Sequence, residues 1–178
     1  MPQRSPFGPF VRGLTLSGAT LATGLMAGLF YAYAVSVNPG LAESSDAGYV
    51  ATMNEINTRI QNPLFFAGFF GAVMFPAVAL IVHRSPRPLS GRFKFVALGC
   101  ALYVGGVFAV TVLANVPLNE RLAGVAADAS AAELARARAA YEGPWNFWNG
   151  VRTVFSVAAF LALIGACLVG DGRETRAE

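Results

Sequence analysis

The sequence has few charges, one histidine and two cysteines, and these shortages exclude several classes of protein. Only 13% of the 178 residues are charged, whereas 55% are hydrophobic and the mean hydropathy is +0.53. A soluble domain usually carries about twice this share of charged residues, so the composition indicates an integral membrane protein. The net charge of +3 is small, and no basic run dense enough to bind nucleic acid is present. We therefore expect the lipid bilayer among its partners, and no nucleic acid.

Histidine and cysteine are too scarce for most metal centres. The single histidine, His83, excludes a histidine-rich site, although one axial haem ligand stays open. Because His83 follows an apolar run, we expect it to snorkel to the membrane interface. Cys100 and Cys167 lie inside apolar runs without CxxC spacing, so they are expected to pack as free thiols. No metal site is predicted.

Four apolar runs define the fold. Each approaches or exceeds the about 18 to 20 residues that a helix needs to cross a bilayer. The runs cover about 14–37, 63–82, 93–114 and 150–169. Backbone in lipid must satisfy its hydrogen bonds within helices or a closed barrel. The fold class is therefore all-α, a four-helix transmembrane bundle that forms a single membrane domain over 1–178.

The distribution of positive charge predicts the orientation. Eight arginines and lysines flank the side that holds both termini, and five lie on the other side, together with seven acidic residues. The eight are Arg4, Arg12, Arg84, Arg87, Arg92, Lys94, Arg173 and Arg176. Because cytoplasmic loops carry the excess of positive residues, both termini are expected to be cytoplasmic.

The first outer connection is predicted to form an amphipathic helix between spans one and two, over about 46–61. Its apolar face, at helical spacing, consists of Tyr49, Met53, Ile56 and Ile60. Such a helix lies in the interface or caps the bundle. Glu55 and Arg59 form an i,i+4 pair on the solvated face. Asn57 instead falls beside the apolar residues, so its amide needs a partner there.

The second outer connection is predicted to contain a short helix between spans three and four. Pro117 removes a backbone donor, so span three is expected to end or kink there. Ser130 and Glu133 then form a capping box that opens an alanine-rich helix. That helix is expected to stop at Gly143-Pro144.

Polar residues gather at the outer ends of the spans. On the last span, Trp145, Trp148, Asn149 and Arg152 fall on one helical stripe. An arginine within a span faces a cavity or snorkels outward, and tryptophans line a site or anchor an interface. At the same level lie four asparagines, which line a pocket or join helices: Asn57, Asn62, Asn115 and Asn119. On span one, Gly24 and Gly28 form a GxxxG pair typical of close helix packing, one turn from Tyr31.

Several of these segments together resemble the anthrone oxygenase-like family of small four-span membrane proteins, whose bacterial members mostly have no known function. The resemblance covers nearly the whole chain. The segments are Ala27-Gly28-Leu29-Phe30-Tyr31, Met53-Asn54-Glu55-Ile56-Asn57 with Asn62-Pro63, Asn115-Val116-Pro117-Leu118-Asn119 and Trp148-Asn149-Gly150-Val151-Arg152-Thr153. It implies a bacterial cytoplasmic membrane protein that uses O₂ as co-substrate to convert an anthrone to an anthraquinone, without a cofactor.

The resemblance also implies a site. Arg152 and Asn115 would be the catalytic residues and hold the enolate oxygen of a small apolar aromatic ligand. Trp148 would stack on its rings, and Asn57 would orient them. The other residues expected to bind substrate are Asn119, Asn149, Asn62 and Tyr31. No general base is evident.

Two readings from other classes stay open. One is a non-catalytic small subunit that packs against a larger membrane complex through its glycine and tryptophan faces, or that forms a homo-oligomer. The other is a redox helper that binds a quinone or a lipid. A fold is carried over from a family more safely than an activity.

Overall fold

The computed structural model describes residues 7–84, 90–126 and 128–169, in which all regular secondary structure is helical. The helices are Pro9–Ala42 (α1), Asp46–Arg59 (α2), Pro63–Val82 (α3), Gly91–Ala123 (α4) and Ala131–Leu168 (α5). The predicted all-α fold is confirmed.

Helices α1, α3, α4 and α5 are each long and apolar enough to cross a membrane. Each contains or closely matches one predicted run, and the chain is an integral membrane protein. With 33 and 38 residues, α4 and α5 exceed the about 20 residues that cross the apolar core, so both extend beyond it. Of the charges that predict the orientation, four lie outside the described residues: Arg4, Arg87, Arg173 and Arg176.

The four long helices pack as a ring in which α1 contacts α3 and α5, and α4 contacts α5 and α3. Small residues bring the helices close together. A Cβ on Gly68 of α3 would lie 2.8 Å from Met26 of α1, and one on Gly24 would lie 2.8 Å from Phe160 of α5. Gly28 is exposed and has no such neighbour within 4 Å. Of the GxxxG pair, only Gly24 therefore supports close packing within the bundle.

Helix α2 covers the end of the bundle away from the termini, which we call the cap end. It begins at Ser45, whose hydroxyl accepts a hydrogen bond from the Gly48 amide at 3.2 Å. Its apolar face packs on α4 and α5 in a cluster of Tyr49, Val50, Met53, Leu122, Tyr141 and Trp145. The amphipathic helix is thus confirmed as a bundle cap. On its other face the Glu55–Arg59 pair, at 2.6 Å, is exposed as predicted.

The structure corrects the predicted stop at Pro144 and, of the two alternatives given for Pro117, the predicted end of span three. The capping box at Ser130 and Glu133 is present, but the helix that it opens runs through Pro144 and is continuous with the last span. Tyr141 and Trp145, one turn apart around this proline, are both buried. Their burial offsets the hydrogen bond that proline removes. Likewise α4 does not end at Pro117 and continues to Ala123.

Widened helical turns precede two of the internal prolines. In α4 the segment Thr111–Asn115 is π-helical, and the Val116 N–H bonds to the Thr111 carbonyl, one residue further back than in an α-helix. In α1 the π-helical segment Tyr33–Val37 precedes Pro39 in the same way. Such turns are frequent at functional sites, and both of these lie at the cap end.

The expectation for His83 was also wrong. The side chain is only 2% exposed, so it does not snorkel. Its Nδ1 lies 3.2 Å from Arg12 Nη2, and its Nε2 lies 3.2 Å from the Arg12 carbonyl. Helix α1 therefore provides polar partners for the histidine at the C-terminal end of α3.

Candidate functional site

The cap end encloses a cavity of about 690 Å³ with two contrasting walls. One wall is aromatic and comes mainly from α3, with Phe65, Phe66, Phe69 and Phe70, and from Phe108 of α4. The facing wall is polar and comes from α2, α4 and α5, with Asn54, Asn57, Asn115, Asn119, Asn149 and Arg152. Ligand cavities usually measure about 300 to 1,000 Å³ and combine apolar walls with a few polar groups, as this one does.

Arg152 is the only arginine or lysine on the cavity wall within the described chain, and it is 6% exposed. Its Nη2 donates to Asn149 Oδ1 at 3.1 Å, and its Nη1 reaches Thr111 Oγ1 at 3.5 Å. The guanidinium also lies over the rings of Phe30 and Trp145, at 4.5 and 5.2 Å. Its Nε has no hydrogen-bond partner, and no carboxylate of the described residues forms an ion pair with it. The positive charge is therefore held among neutral groups.

Asn115 is 1% exposed, and neither polar atom of its amide has a hydrogen-bond partner in the described structure. It lies one turn after Thr111, at the end of the π-helical segment. Leaving a buried polar group unpaired costs about 1 to 3 kcal/mol. An amide that can both donate and accept is thus left unpaired at the wall that carries Arg152.

Hydrogen bonds hold three other amides of the polar wall, those of Asn57, Asn119 and Asn149. Asn119 Oδ1 accepts from the Tyr141 hydroxyl at 2.8 Å and from Trp145 Nε1 at 2.9 Å. Asn57 Nδ2 lies 3.3 Å from the same tyrosine oxygen, which gives the amide of α2 the partner that its position requires. Asn149 Nδ2 donates to the Phe30 carbonyl at 3.2 Å. These bonds join α1, α2, α4 and α5 around the cavity.

The structure brings five of the eight predicted site residues to this cavity. They are Asn57, Asn115, Asn119, Asn149 and Arg152. Asn62 instead caps α3, because its Oδ1 accepts from the amides of Leu64 and Phe65. Trp148 packs its ring on Phe147, 5.1 Å between centroids, and Tyr31 is 56% exposed.

The three residues outside the cavity require a correction to the predicted geometry. Trp148 lies about 70° around the helix from the centre of the stripe formed by Asn149 and Arg152. Trp145 therefore forms the part of the wall that Trp148 was expected to form. Tyr31 points away, whereas Tyr33 lines the cavity. The roles of all eight residues in binding or catalysis stay predictions.

Two groups of cavity residues were missed by sequence reasoning. The phenylalanines of α3 look like ordinary lipid-facing residues, because the whole helix is apolar. Glu120 is the acidic residue on the cavity wall and is exposed at its rim. Its position directly after Asn119 was an available signal. Glu55, in contrast, is exposed on the far face of α2.

The arrangement is suited to holding a flat ligand that bears a negatively charged oxygen. Aromatic rings on one side provide stacking surfaces. On the other side, a guanidinium and an unpaired amide can donate to an oxyanion, and their interaction is strengthened where water is excluded.

Comparison with known proteins gives one match. The profile of the family described as anthrone oxygenase matches residues 59–162, more than half of the chain. This range includes α3, α4 and most of α5, and therefore both predicted catalytic residues. No curated protein and no solved structure matches the chain significantly.

Proposed function

Because the chain belongs to the anthrone oxygenase family, we propose that it is a cofactor-independent oxygenase. Its substrate would be an anthrone-like or other polycyclic phenolic compound, bound in the cap-end cavity with O₂ as co-substrate. The family membership supports an oxygenase-like role, and the geometry of the cavity supports the more specific proposal.

One observation carries the proposal. Arg152 is a buried cation without an acidic partner in the described chain, and the unpaired amide of Asn115 lies on the same wall. A buried charge is costly when it is not compensated. A ligand oxyanion would compensate the guanidinium and would also accept from the amide.

The proposed reaction needs little catalytic apparatus. An anthrone loses a proton from its CH₂ carbon and becomes an enolate whose negative oxygen is held by Arg152 and Asn115. The electron-rich carbon then reacts with O₂ to a hydroperoxide, which loses water and leaves a carbonyl. One oxygen atom enters the anthraquinone and the other leaves as water, so the carbon supplies all four electrons. Stabilisation of the enolate by preorganised donors is the contribution of the protein.

Glu120 is our candidate for the proton acceptor. It is the carboxylate on the cavity wall and lies at the rim, where water is accessible. A carboxylate there can take the proton of the CH₂ group directly or through one water.

We further propose a bacterial cytoplasmic membrane location with both termini in the cytoplasm. The excess of arginine and lysine on the side of the termini supports this orientation. The cavity and its cap helix would then lie on the opposite face of the membrane.

The test is turnover by the full-length protein in lipid vesicles. Anthrone is supplied with O₂ enriched in oxygen-18, and anthraquinone is measured by absorbance and mass spectrometry. We expect formation of anthraquinone well above protein-free vesicles, with one labelled oxygen per molecule. A rate equal to that of heat-denatured protein would refute the oxygenase. A quinone that co-purifies without turnover would favour a redox helper, and stoichiometric partner chains would favour an accessory subunit.

A further inference from the structure

We propose that the cavity is filled sideways from the bilayer, through a slot between α3 and the cap-side half of α4. This inference rests on the proposed function, because it concerns the same cavity. It assigns the substrate class more narrowly: a membrane-dissolved aromatic compound whose non-reacting edge carries an apolar group.

Helices α3 and α4 pack together along only part of their length. Helix α3 packs on the segment Gly91–Tyr103 of α4. Just beyond this segment, the ring of Phe108 contacts those of Phe69 and Phe70, with centroids 5.5 and 6.3 Å apart. These rings close the slot on the side of the termini.

Beyond Phe108 the two helices present residues that both line the cavity and are open to the outside. On α3 these are Phe66 and Phe70, which are 38% and 45% exposed. On α4 they are Val112 and Val116, which are 47% and 40% exposed. Because these exposed cavity residues lie beyond the segment of α4 on which α3 packs, the geometry points to an opening of the cavity between the two helices. The edges of the opening are entirely apolar.

The length of α3 places this opening within the bilayer. With 20 residues, α3 spans about 30 Å, which equals the thickness of the apolar core. Phe66 and Phe70 belong to its first two turns and therefore face acyl chains rather than water. An opening at this depth admits molecules that dissolve in the membrane.

The rim nearest the water has a different character. There three of the exposed lining residues are polar, namely Thr58, Gln61 and Glu120, and Ala123 lies beside them. This rim suits the exchange of water and protons with Glu120. It does not suit the passage of an apolar polycycle, which would have to leave the membrane first.

The slot also sets the orientation of the ligand. The polar wall with Asn115 and Arg152 is buried, whereas the slot is apolar. A molecule that enters from the bilayer therefore presents its oxygen-bearing edge to the polar wall. Its opposite edge stays between the phenylalanines of α3 and the valines of α4, where an apolar substituent can extend into the lipid.

Photolabelling with an aromatic trifluoromethyl diazirine, a small apolar probe that dissolves in the bilayer, tests the slot in full-length protein in vesicles. Mass spectrometry locates the labelled residues. Phe69 and Trp145 are both 5% exposed but line the cavity, and we expect both to be labelled. Met26 and Tyr103 are 5% and 0% exposed and do not line the cavity, and we expect several-fold less label on them. Equal labelling of the two pairs would overturn the proposal.

Matched variants identify the route. Val112→Trp should fill the slot and reduce labelling of Phe69 and Trp145 several-fold. Leu113→Trp is the control, because Leu113 is the next residue, is 77% exposed and does not line the cavity. Gln61→Trp narrows the polar rim and should leave the labelling unchanged. Loss of label in Gln61→Trp but not in Val112→Trp would show entry from water and overturn the proposal.

The two proposals can fail separately, because labelling requires no turnover. Cavity labelling without anthraquinone formation would refute the oxygenase and leave the slot standing. Turnover without cavity labelling would refute the slot and leave the oxygenase standing. If Val112→Trp does not fold, Val116→Phe provides a smaller obstruction in the same slot.

Discussion

Helix α5 carries three arginines. Two of them, Arg138 and Arg152, lie about four turns apart, and their surroundings differ in kind. Arg138 donates to Glu142 at 2.7 Å, to Asp46 at 3.2 Å, and to the carbonyls of Ala42 and Ser44 at 2.8 and 2.7 Å. These bonds tie the start of α2 to α5. Among the described residues, the acceptors of Arg152 are one amide and one hydroxyl.

The difference separates a structural arginine from one that is open to a ligand. Arg138 is neutralised by two carboxylates, although its side chain is 15% exposed and water could screen it. Arg152 is more buried and lacks such a partner in the described chain. Its guanidinium lies over Trp145 and Phe30, whereas that of Arg138 lies 4.7 Å over the ring of Tyr49. Burial raises the pKa of this tyrosine to about 12, so it remains neutral beside Arg138.

Arg152→Gln should have the largest effect. Removal of the cation that the described cavity wall carries should lower anthrone turnover about 100- to 1,000-fold, since the enolate loses its main donor. The melting temperature should not fall, because an uncompensated buried charge is removed. Arg59→Gln is the control, because Arg59 is exposed outside the cavity. If Arg152→Gln turned over at the wild-type rate, Arg152 would not be the ligand-binding arginine that its contrast with Arg138 indicates.

Asn115→Leu should have the second largest effect on turnover. Loss of the unpaired amide should lower turnover about 10- to 100-fold if it holds the enolate oxygen. Stability should be kept, because no hydrogen bond of the ligand-free protein is broken.

Asn119→Leu is its matched control, since this amide accepts from both Tyr141 and Trp145. It should cost about 1 to 3 kcal/mol of stability through the partners that it leaves unpaired. Thermal unfolding followed by circular dichroism would compare the two variants. A lower melting temperature for Asn115→Leu than for Asn119→Leu would show that the amide of Asn115 has a structural role.

Arg138→Ala should act on stability more than on chemistry. It removes four hydrogen bonds, but Asp46 is 43% exposed, so screening limits the loss to about 1 to 2 kcal/mol. The melting temperature should fall, and turnover should fall less than in Arg152→Gln. Arg59→Ala, which removes an exposed and solvent-screened pair, should leave the melting temperature nearly unchanged. Equal melting temperatures for Arg138→Ala and Arg59→Ala would show that Arg138 has no structural role.

Glu120→Gln should have the smallest effect. Loss of the proposed proton acceptor should slow turnover about tenfold or less, because water at the rim can take the proton in its place. Ligand affinity should stay unchanged. Glu55→Gln, on the exposed face of α2, serves as the control, and identical rates in the two variants would remove Glu120 from the mechanism.

Much of the fold could be predicted from local patterns. Apolar runs gave the four spans, helical spacing gave the cap helix, and Ser130 with Glu133 gave a helix start. The continuity of α4 and α5 through Pro117 and Pro144 could not be predicted in this way. The packing of Tyr141 and Trp145 against α2 and α4 decided it at Pro144, and a widened turn precedes Pro117. Neither has a local signal.

For the site, only its depth in the membrane could be predicted from the sequence. Topology alone placed Asn57, Asn115, Asn119 and Arg152 near one another, because alternating spans return to the same side. The sequence could not give the aromatic wall, since a lipid-facing phenylalanine and a cavity-facing one look alike.

By itself the sequence determined that four apolar helices cross a membrane and that amides and an arginine collect at one end. These properties follow from residue type and helical period. Only the tertiary structure decided that Arg138 is neutralised and Arg152 is not, because the partners of Arg138 include residues far away in the chain. It also decided that Asn115 is left unpaired and Asn119 is not, since that depends on where Tyr141 and Trp145 are held.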